Sequence, residues 1–208
     1  IIQGTTGTGP LSSKKIAKDQ QRIDVLRYGI ELGLNFIDTA ELYGGGHAEE
    51  IVGKAIRGVR SQVIIASKVN PENCSKKALI KALDASLKRI GTDYLDLYQI
   101  HWPNPDVHFD ETFEVLELLI EQGKIRWIGL SNFSLEEVKR VNSLSSSIVS
   151  LQMEYNPIER GIETEILSYC HEYGITLIAY SALSVGGFFL EKHRAFLEHL
   201  EEKYQMEA

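Results

Sequence analysis

Asp38, Tyr43, Lys68 and His101 stand where side-chain chemistry is easiest to assemble, at or just beyond the ends of short apolar runs. Asp38 follows "NFI", Lys68 follows "VIIAS" and His101 follows "DLYQI", while Tyr43 comes five residues after Asp38 in "NFIDTAELYGGG". Taken singly, each has an ordinary structural reading: the aspartate caps a turn, the lysine extends to water, the histidine packs at a rim and the tyrosine fills space. Taken together they form an acid–base set. A lysine in a largely buried place needs a carboxylate partner, and Asp38 is the nearest candidate. A lysine so held stays cationic and favours the ionised form of a neighbouring phenol. The Tyr43 pKa is therefore expected to lie below its ordinary value of about 10. Tyr43 then acts as a general acid toward a carbonyl oxygen, and His101 donates a hydrogen bond that orients the same oxygen. Further polar residues also close apolar runs: Ser131 and Asn132 after "WIGL", Gln152 after "IVSL", Tyr180 and Ser181 after "TLIA". Their amide and hydroxyl groups suit a carboxamide-bearing flat ring, and Tyr180 offers a face on which to stack it. Such a set is expected to protonate an aldehyde or ketone beside that ring, as a carbonyl reductase does.

These residues can meet only if the strands that lead into them open on one rim. Short β-branched runs alternate with longer helical patterns along nearly the whole chain. Strands are predicted at 1–5, 34–37, 62–66, 94–100, 125–130, 147–152 and 175–180. Helices are predicted at 19–32, 48–56, 75–90, 110–122, 162–173 and 192–204, with one more opened by the capping box Ser134 to Glu137. Ser75 reads as an N-cap, and Gly33, Gly91, Gly123 and Gly174 as helix stops. Strand–helix alternation implies parallel pairing through right-handed crossovers. Two α/β architectures satisfy it: an open doubly wound sheet and a closed (β/α)8 TIM barrel. The first strand-to-helix loop, "GTTGTGP", has glycines but not the G-x-G-x-x-G spacing of the dinucleotide-binding sheet. Barrels gather strand-end residues at one mouth, so the barrel is preferred. Seven strands are found, and the eighth strand and C-terminal helices are expected to be absent from this chain. Barrels usually run to about 250 residues, against 208 here. The chain starts at Ile1 and stops inside a helix-like segment, so a single barrel domain over 1–208, incomplete at both termini, is expected.

A hydrophobic content of 43% and a charged content of 25% are those of an ordinary globular protein. The net charge of -7 argues against nucleic acid or an anionic membrane surface as main partner. Cys74 and Cys170 are too few for a disulfide framework and fit a reducing cytoplasm. The apolar stretch "ITLIAYSALSVGGFF" is interrupted by serines and glycines before it reaches spanning length.

The motifs "GLNFIDTAELYGGGHAEEIVGKAI", "VIIASKV", "SLKRIGTDYLDLYQIHWP", "GKIRWIGLSNFS", "LQMEYNP" and "LIAYSAL", in this order, resemble the aldo-keto reductases almost end to end. The resemblance implies a (β/α)8 barrel, a small carbonyl substrate and NADPH as hydride donor, with NADH not excluded. It implies Tyr43 as proton donor, an Asp38–Lys68 pair that tunes it, and His101 orienting the carbonyl. Ser131, Asn132 and Gln152 would hold the nicotinamide carboxamide, with Tyr180 stacked beneath the ring. Ser181 and Leu183 fall where the family contacts the pyrophosphate, and Thr5 and Thr6 where it also approaches the cofactor. The chain departs from the family where the adenosine 2'-phosphate would be gripped, and "YSALSVGGFF" passes quickly into a helix where relatives have a longer loop. Two other functions stay open. Lys68 could form a Schiff base in a lyase, and some relatives are channel-associated subunits that bind cofactor and turn over slowly. Other residues read as structural. Glu49 and Glu50 favour the dipole of their helix, Cys170 packs in the core, and His47, His108, His171, His193 and His199 show no metal-ligand arrangement. Trp102 and Pro103 line a substrate mouth or pack at the rim, and for Glu41 a contact with substrate or with Lys68 is the lesser alternative to a structural place.

Overall fold

The computed structural model describes residues 2–5, 16–184 and 194–205. Thr6 and residues 192 and 193 of the predicted last helix lie outside that range. The chain divides into two compact units, Ile1–Ser150 and Leu151–Ala208.

In the first unit strands and helices alternate: β1 (Ile2–Gly4), α1 (Ile16–Glu31), β2 (Phe36–Asp38), α2 (His47–Ala55), β3 (Ile64–Val69), α3 (Lys76–Ile90), β4 (Leu95–Ile100), α4 (Phe109–Glu121), β5 (Ile125–Ser131) and α5 (Leu135–Asn142). β6 (Ile148–Glu154) begins here and runs on into the second unit. Each strand lies beside the next in sequence order, and β1 to β5 pair parallel. A doubly wound sheet needs a reversal of that order, and none occurs. The sequence dictates this arrangement through its patterns of burial. β4 is buried at every position, as expected of a parallel strand covered on both faces. On α3 the buried positions Leu79, Leu83, Ser86, Leu87 and Ile90 recur at helical spacing and face the sheet. Gly91 ends α3 at φ 72°, and its N–H donates to the Leu87 carbonyl at 2.8 Å. Ser134 and Glu137 form the predicted capping box of α5. Ser75 precedes α3, but its side chain caps nothing.

The register places the polar residues. Asp38 on β2 lies opposite Ala66 on β3, Lys68 on β3 opposite Gln99 on β4, and Gln99 opposite Gly129 on β5. β3 extends to Val69, so Lys68 stands within the strand instead of after it. The polar pair Ser67-Lys68 hides this extension in the sequence, because both side chains are fully buried.

In the second unit β7 (Thr176–Tyr180) is the neighbour of β6. The helix expected over 162–173 is shorter: a 3-10 turn at Gly161–Glu163 comes first, then α6 (Ile166–Glu172). Cys170 is buried on α6, as expected of a core residue. α7 (Arg194–Tyr204) follows. Among the described residues no helix is long and apolar enough to cross a membrane.

Glu49 occupies the first turn of α2 as expected, but the helix dipole is not its main engagement. Its fully buried carboxylate accepts from Ser67 Oγ at 2.5 Å and from Arg89 Nε at 2.6 Å, tying α2 to β3 and α3. Removing one partner of a buried ion pair leaves the other uncompensated. Glu49→Ala is expected to cost about 3 kcal/mol of stability in urea unfolding. A loss under about 1 kcal/mol, the worth of a surface pair, would show that the pair does not brace these elements.

Candidate active site

The ladder between β2 and β3 carries on past the end of β2. Thr39 N–H donates to the Ala66 carbonyl at 2.9 Å and Glu41 N–H to the Lys68 carbonyl at 3.3 Å. The chain then turns through Gly44, Gly45 and Gly46, at φ 63°, 64° and 92°. Three successive left-handed residues are readily available only to glycine. Glu41 accepts from Asn70 N–H at 2.7 Å and Asn73 Nδ2 at 2.9 Å, so it ties the loop after β2 to the loop after β3.

Lys68 is the hub. Its fully buried Nζ donates to Asp38 Oδ2 at 2.6 Å, to the Thr39 carbonyl at 2.9 Å and to the Tyr43 hydroxyl oxygen at 3.3 Å. An ammonium has three donors, and these three acceptors use them all. Burial pushes the Lys68 pKa down, and the Asp38 carboxylate works against that shift. A Schiff base requires a free lone pair on Nζ, which an ammonium committed in this way does not offer.

Tyr43 departs from expectation. Its pKa is raised to about 12 rather than lowered, first by burial and then by the Asp38 carboxylate. Burial penalises the phenolate, and the hydrogen bond from Lys68 is long at 3.3 Å. The phenol therefore keeps its proton throughout the neutral range. Because its oxygen accepts from Lys68, its own O–H is left to donate elsewhere.

His101 closes β4, its N–H donating to the Val69 carbonyl at 3.0 Å. Its ring stacks on half-exposed Trp102 with centroids 3.8 Å apart and meets Tyr43 edge-on at 5.7 Å. Burial, followed by the Lys68 charge, lowers its pKa to about 3. The imidazole is thus neutral at physiological pH and able to donate one N–H hydrogen bond. Nδ1 is buried with no hydrogen-bond partner among the described residues. This shift has a sign in the pH dependence of stability. A histidine whose folded pKa is about 3, against an ordinary 6.5 or so, contributes fully above the higher value. That contribution is lost as pH falls toward the lower one, because the unfolded chain takes up the proton first. His101→Asn is expected to lose less stability than the wild type between about pH 7 and pH 4 in urea titrations. Equal losses would contradict the shift.

The remaining expected residues fall as follows. Ser131 ends β5 and is buried; its Oγ accepts from Asn132 Nδ2 at 3.1 Å. Asn132 is left-handed at φ 60° and also donates from Nδ2 to the His101 carbonyl at 3.0 Å. Thr5, just past β1, gives both its N–H (3.0 Å) and its hydroxyl (3.1 Å) to the Asp38 carbonyl, so it fastens β1 to β2. Thr6 lies outside the described residues. In the second unit Gln152 is buried on β6, Tyr180 is half-buried at the end of β7, Ser181 follows at φ 51° and Leu183 is exposed. Gln99 and the Thr39 carbonyl join the first unit's site without having been singled out in the sequence, and the Trp102 ring, expected at a substrate mouth or packed at the rim, stacks on His101. A glutamine inside the apolar run "LYQI" was the available signal for Gln99.

Parallel strands in unbroken order, alternating with helices, with an Asp–Lys–Tyr–His cluster near their ends, are the pattern of a (β/α)8-type scaffold. The Aldo/keto reductase family profile matches residues 1–205, and the chain belongs to this family. It is 41% identical over 189 residues to the methylglyoxal reductase YeaE of Escherichia coli (strain K12), covering 90% of this chain and 65% of that protein. It is 39% identical over 178 residues to the aldo-keto reductase YhdN of Bacillus subtilis (strain 168), covering 81% of this chain and 54% of that one. The chain therefore spans between about half and two thirds of the length of these relatives. Among solved structures, the thermostable aldo-keto reductase Tm1743 with the inhibitor epalrestat aligns with a TM-score of 0.91 at 38% identity, over 98% of this chain and 76% of that one. An aldo/keto reductase from Klebsiella pneumoniae in complex with NADP and acetate aligns with a TM-score of 0.90 at 36% identity, over 99% of this chain and 73% of that one.

Proposed function

We propose that this protein reduces an aldehyde or ketone to the alcohol, with NADPH as hydride donor and Tyr43 as proton donor. The observation that carries this reading is the triple engagement of Lys68 with Asp38, Thr39 and Tyr43. It leaves one protonated phenol with its O–H uncommitted to Lys68. A substrate carbonyl oxygen accepts hydrogen bonds from the Tyr43 O–H and from the neutral His101 ring, which together orient and polarise it. NADPH, if bound beside Ser131 and Asn132, would supply the hydride that the carbonyl carbon accepts. As the oxygen gains negative charge, the Tyr43 proton passes to it. The phenolate left behind is stabilised by the Lys68 ammonium, whose own charge is held in place by Asp38. Tyr43 is then reprotonated from solvent, and the stack of His101 on Trp102 helps keep the imidazole in position.

The side chains suit the cofactor. Ser131 and Asn132 in the first unit offer a hydroxyl and an amide beside His101, the donor and acceptor types that a carboxamide needs. The second unit, taken by itself, is assigned Gln152, Tyr180, Ser181 and Leu183 as further cofactor-holding residues, and Thr5 and Thr6 keep the assignment that the resemblance gives them. The Klebsiella pneumoniae relatives in complex with NADP and NADPH support NADP(H) as the cofactor. The name of the Escherichia coli relative makes a small oxoaldehyde the first substrate to try.

Titration of NADPH fluorescence, with NADH alongside, followed by a panel of aldehydes and ketones, tests the proposal. Tight NADPH binding and one NADPH oxidised per alcohol formed are expected. Binding without oxidation of any carbonyl would instead favour a protein that holds cofactor without turning over.

A further inference from the structure

We propose that Gln99 is a positioning residue that fixes the Asp38 carboxylate, and through it the lysine that serves Tyr43. The inference rests on the reading of this set as a carbonyl-reducing centre. Gln99 is fully buried on β4, level with Lys68 on β3 and Gly129 on β5. Its Nε2 donates to Asp38 Oδ1 at 3.2 Å, while Lys68 Nζ donates to Asp38 Oδ2 at 2.6 Å. The two oxygens of one carboxylate are thus held by donors from two different strands. A carboxylate held at one oxygen can swing about its Cβ–Cγ bond, whereas one held at both keeps its plane. The direction of the Lys68 ammonium, and so of its third donor toward Tyr43, follows from that plane.

Three features show that this placement is not ordinary packing. The amide orientation follows from chemistry: turned over, Gln99 would set its carbonyl oxygen against a carboxylate oxygen, lone pair to lone pair. Its own carbonyl Oε1 is buried with no hydrogen-bond partner among the described residues, which costs stability that a leucine or methionine in the same place would not lose. Local rules broken in this way are expected at functional positions. The stem of Gln99 also depends on Gly129, where a Cβ would lie 2.7 Å from Gln99 Cγ. Finally, a neutral amide holds Asp38 without competing for it as a second cation would, so the ion pair with Lys68 stays undivided.

A double-mutant cycle tests the inference in the full chain. Gln99→Met keeps the length and removes the donor. It is expected to lower the single-turnover rate of NADPH oxidation by an aldehyde about tenfold, the worth of a hydrogen bond to a charged group. KM and NADPH affinity are expected to stay within about twofold. In an Asp38→Ala background the same substitution is expected to change the rate less than about twofold, because the residue through which Gln99 acts is gone. If Asp38→Ala does not fold, Asp38→Leu replaces it, with the same loss of the Gln99 effect expected. Equal losses in both backgrounds would mean that Gln99 acts through packing alone, and an unchanged rate in the single variant would mean that it does not act. Either result overturns the inference. The same cycle read by urea unfolding requires no turnover. Non-additive unfolding constants are expected, and additive ones overturn the inference. Should the wild type oxidise no NADPH, the proposed reaction fails, and the unfolding cycle still decides whether Gln99 and Asp38 are coupled.

Discussion

Tyr43→Phe is expected to reduce kcat for carbonyl reduction by about 10²–10⁴-fold, the range of a positioned general acid, with NADPH affinity within about twofold of wild type. The substitution removes one oxygen. In the proposed reaction that oxygen carries the proton delivered to the substrate; it also accepts from Lys68 Nζ at 3.3 Å. The ring itself stays, including its edge contact with His101, so the site keeps its shape. His101 cannot take over the proton transfer: with a pKa near 3 its ring is neutral, and its N–H is far too weak an acid to replace a phenol. Steady-state rates and a cofactor titration on the same preparation separate the two effects. A variant as fast as the wild type would remove Tyr43 from the proton-donor role.

Lys68→Met is expected to lower kcat by about a hundredfold or more, the usual cost of losing a stabiliser of transition-state charge. Two consequences combine. The phenolate formed at Tyr43 loses the cation beside it, and the Asp38 carboxylate, already a cause of the raised Tyr43 pKa, is left without its counter-charge. Both changes make the phenol a poorer acid. Breaking a buried pair also costs about 3–5 kcal/mol of stability, so the rate is to be measured on protein shown by circular dichroism to be folded. Wild-type rates across the pH range would sever Lys68 from the proton transfer.

Much of this was legible in the sequence. Parallel order follows from strand–helix alternation, and the candidate site residues from several polar side chains each closing an apolar run, which only taken together outweigh their ordinary structural readings. The direction of the Tyr43 shift was not legible. A sequence shows that a lysine and an aspartate lie nearby, but not that burial outweighs the lysine. Glu49 sits in the first turn of α2 as expected, but its partners Ser67 and Arg89 were not legible, because only the packing of α2 against β3 and α3 reveals them. Gln99 was obscured by the run that surrounds it, since β4 is buried on both faces and its side chains alternate without any polar period. The start of α6 was placed too early because the apolar spacing continues through Ile162, which the structure puts in a 3-10 turn.

In the proposed reaction Tyr43, held by Lys68 and Asp38, protonates a carbonyl that receives hydride from NADPH. This reaction is tested most directly by a single turnover of NADPH deuterated at the transferring C4 position with a small aldehyde, comparing wild type and Tyr43→Phe by stopped-flow fluorescence and mass analysis of the alcohol. The expected result is one deuterium at the carbinol carbon for each NADPH oxidised, with the Tyr43→Phe step slower by at least about a hundredfold. Alcohol without deuterium, or equal rates for the two proteins, would contradict it.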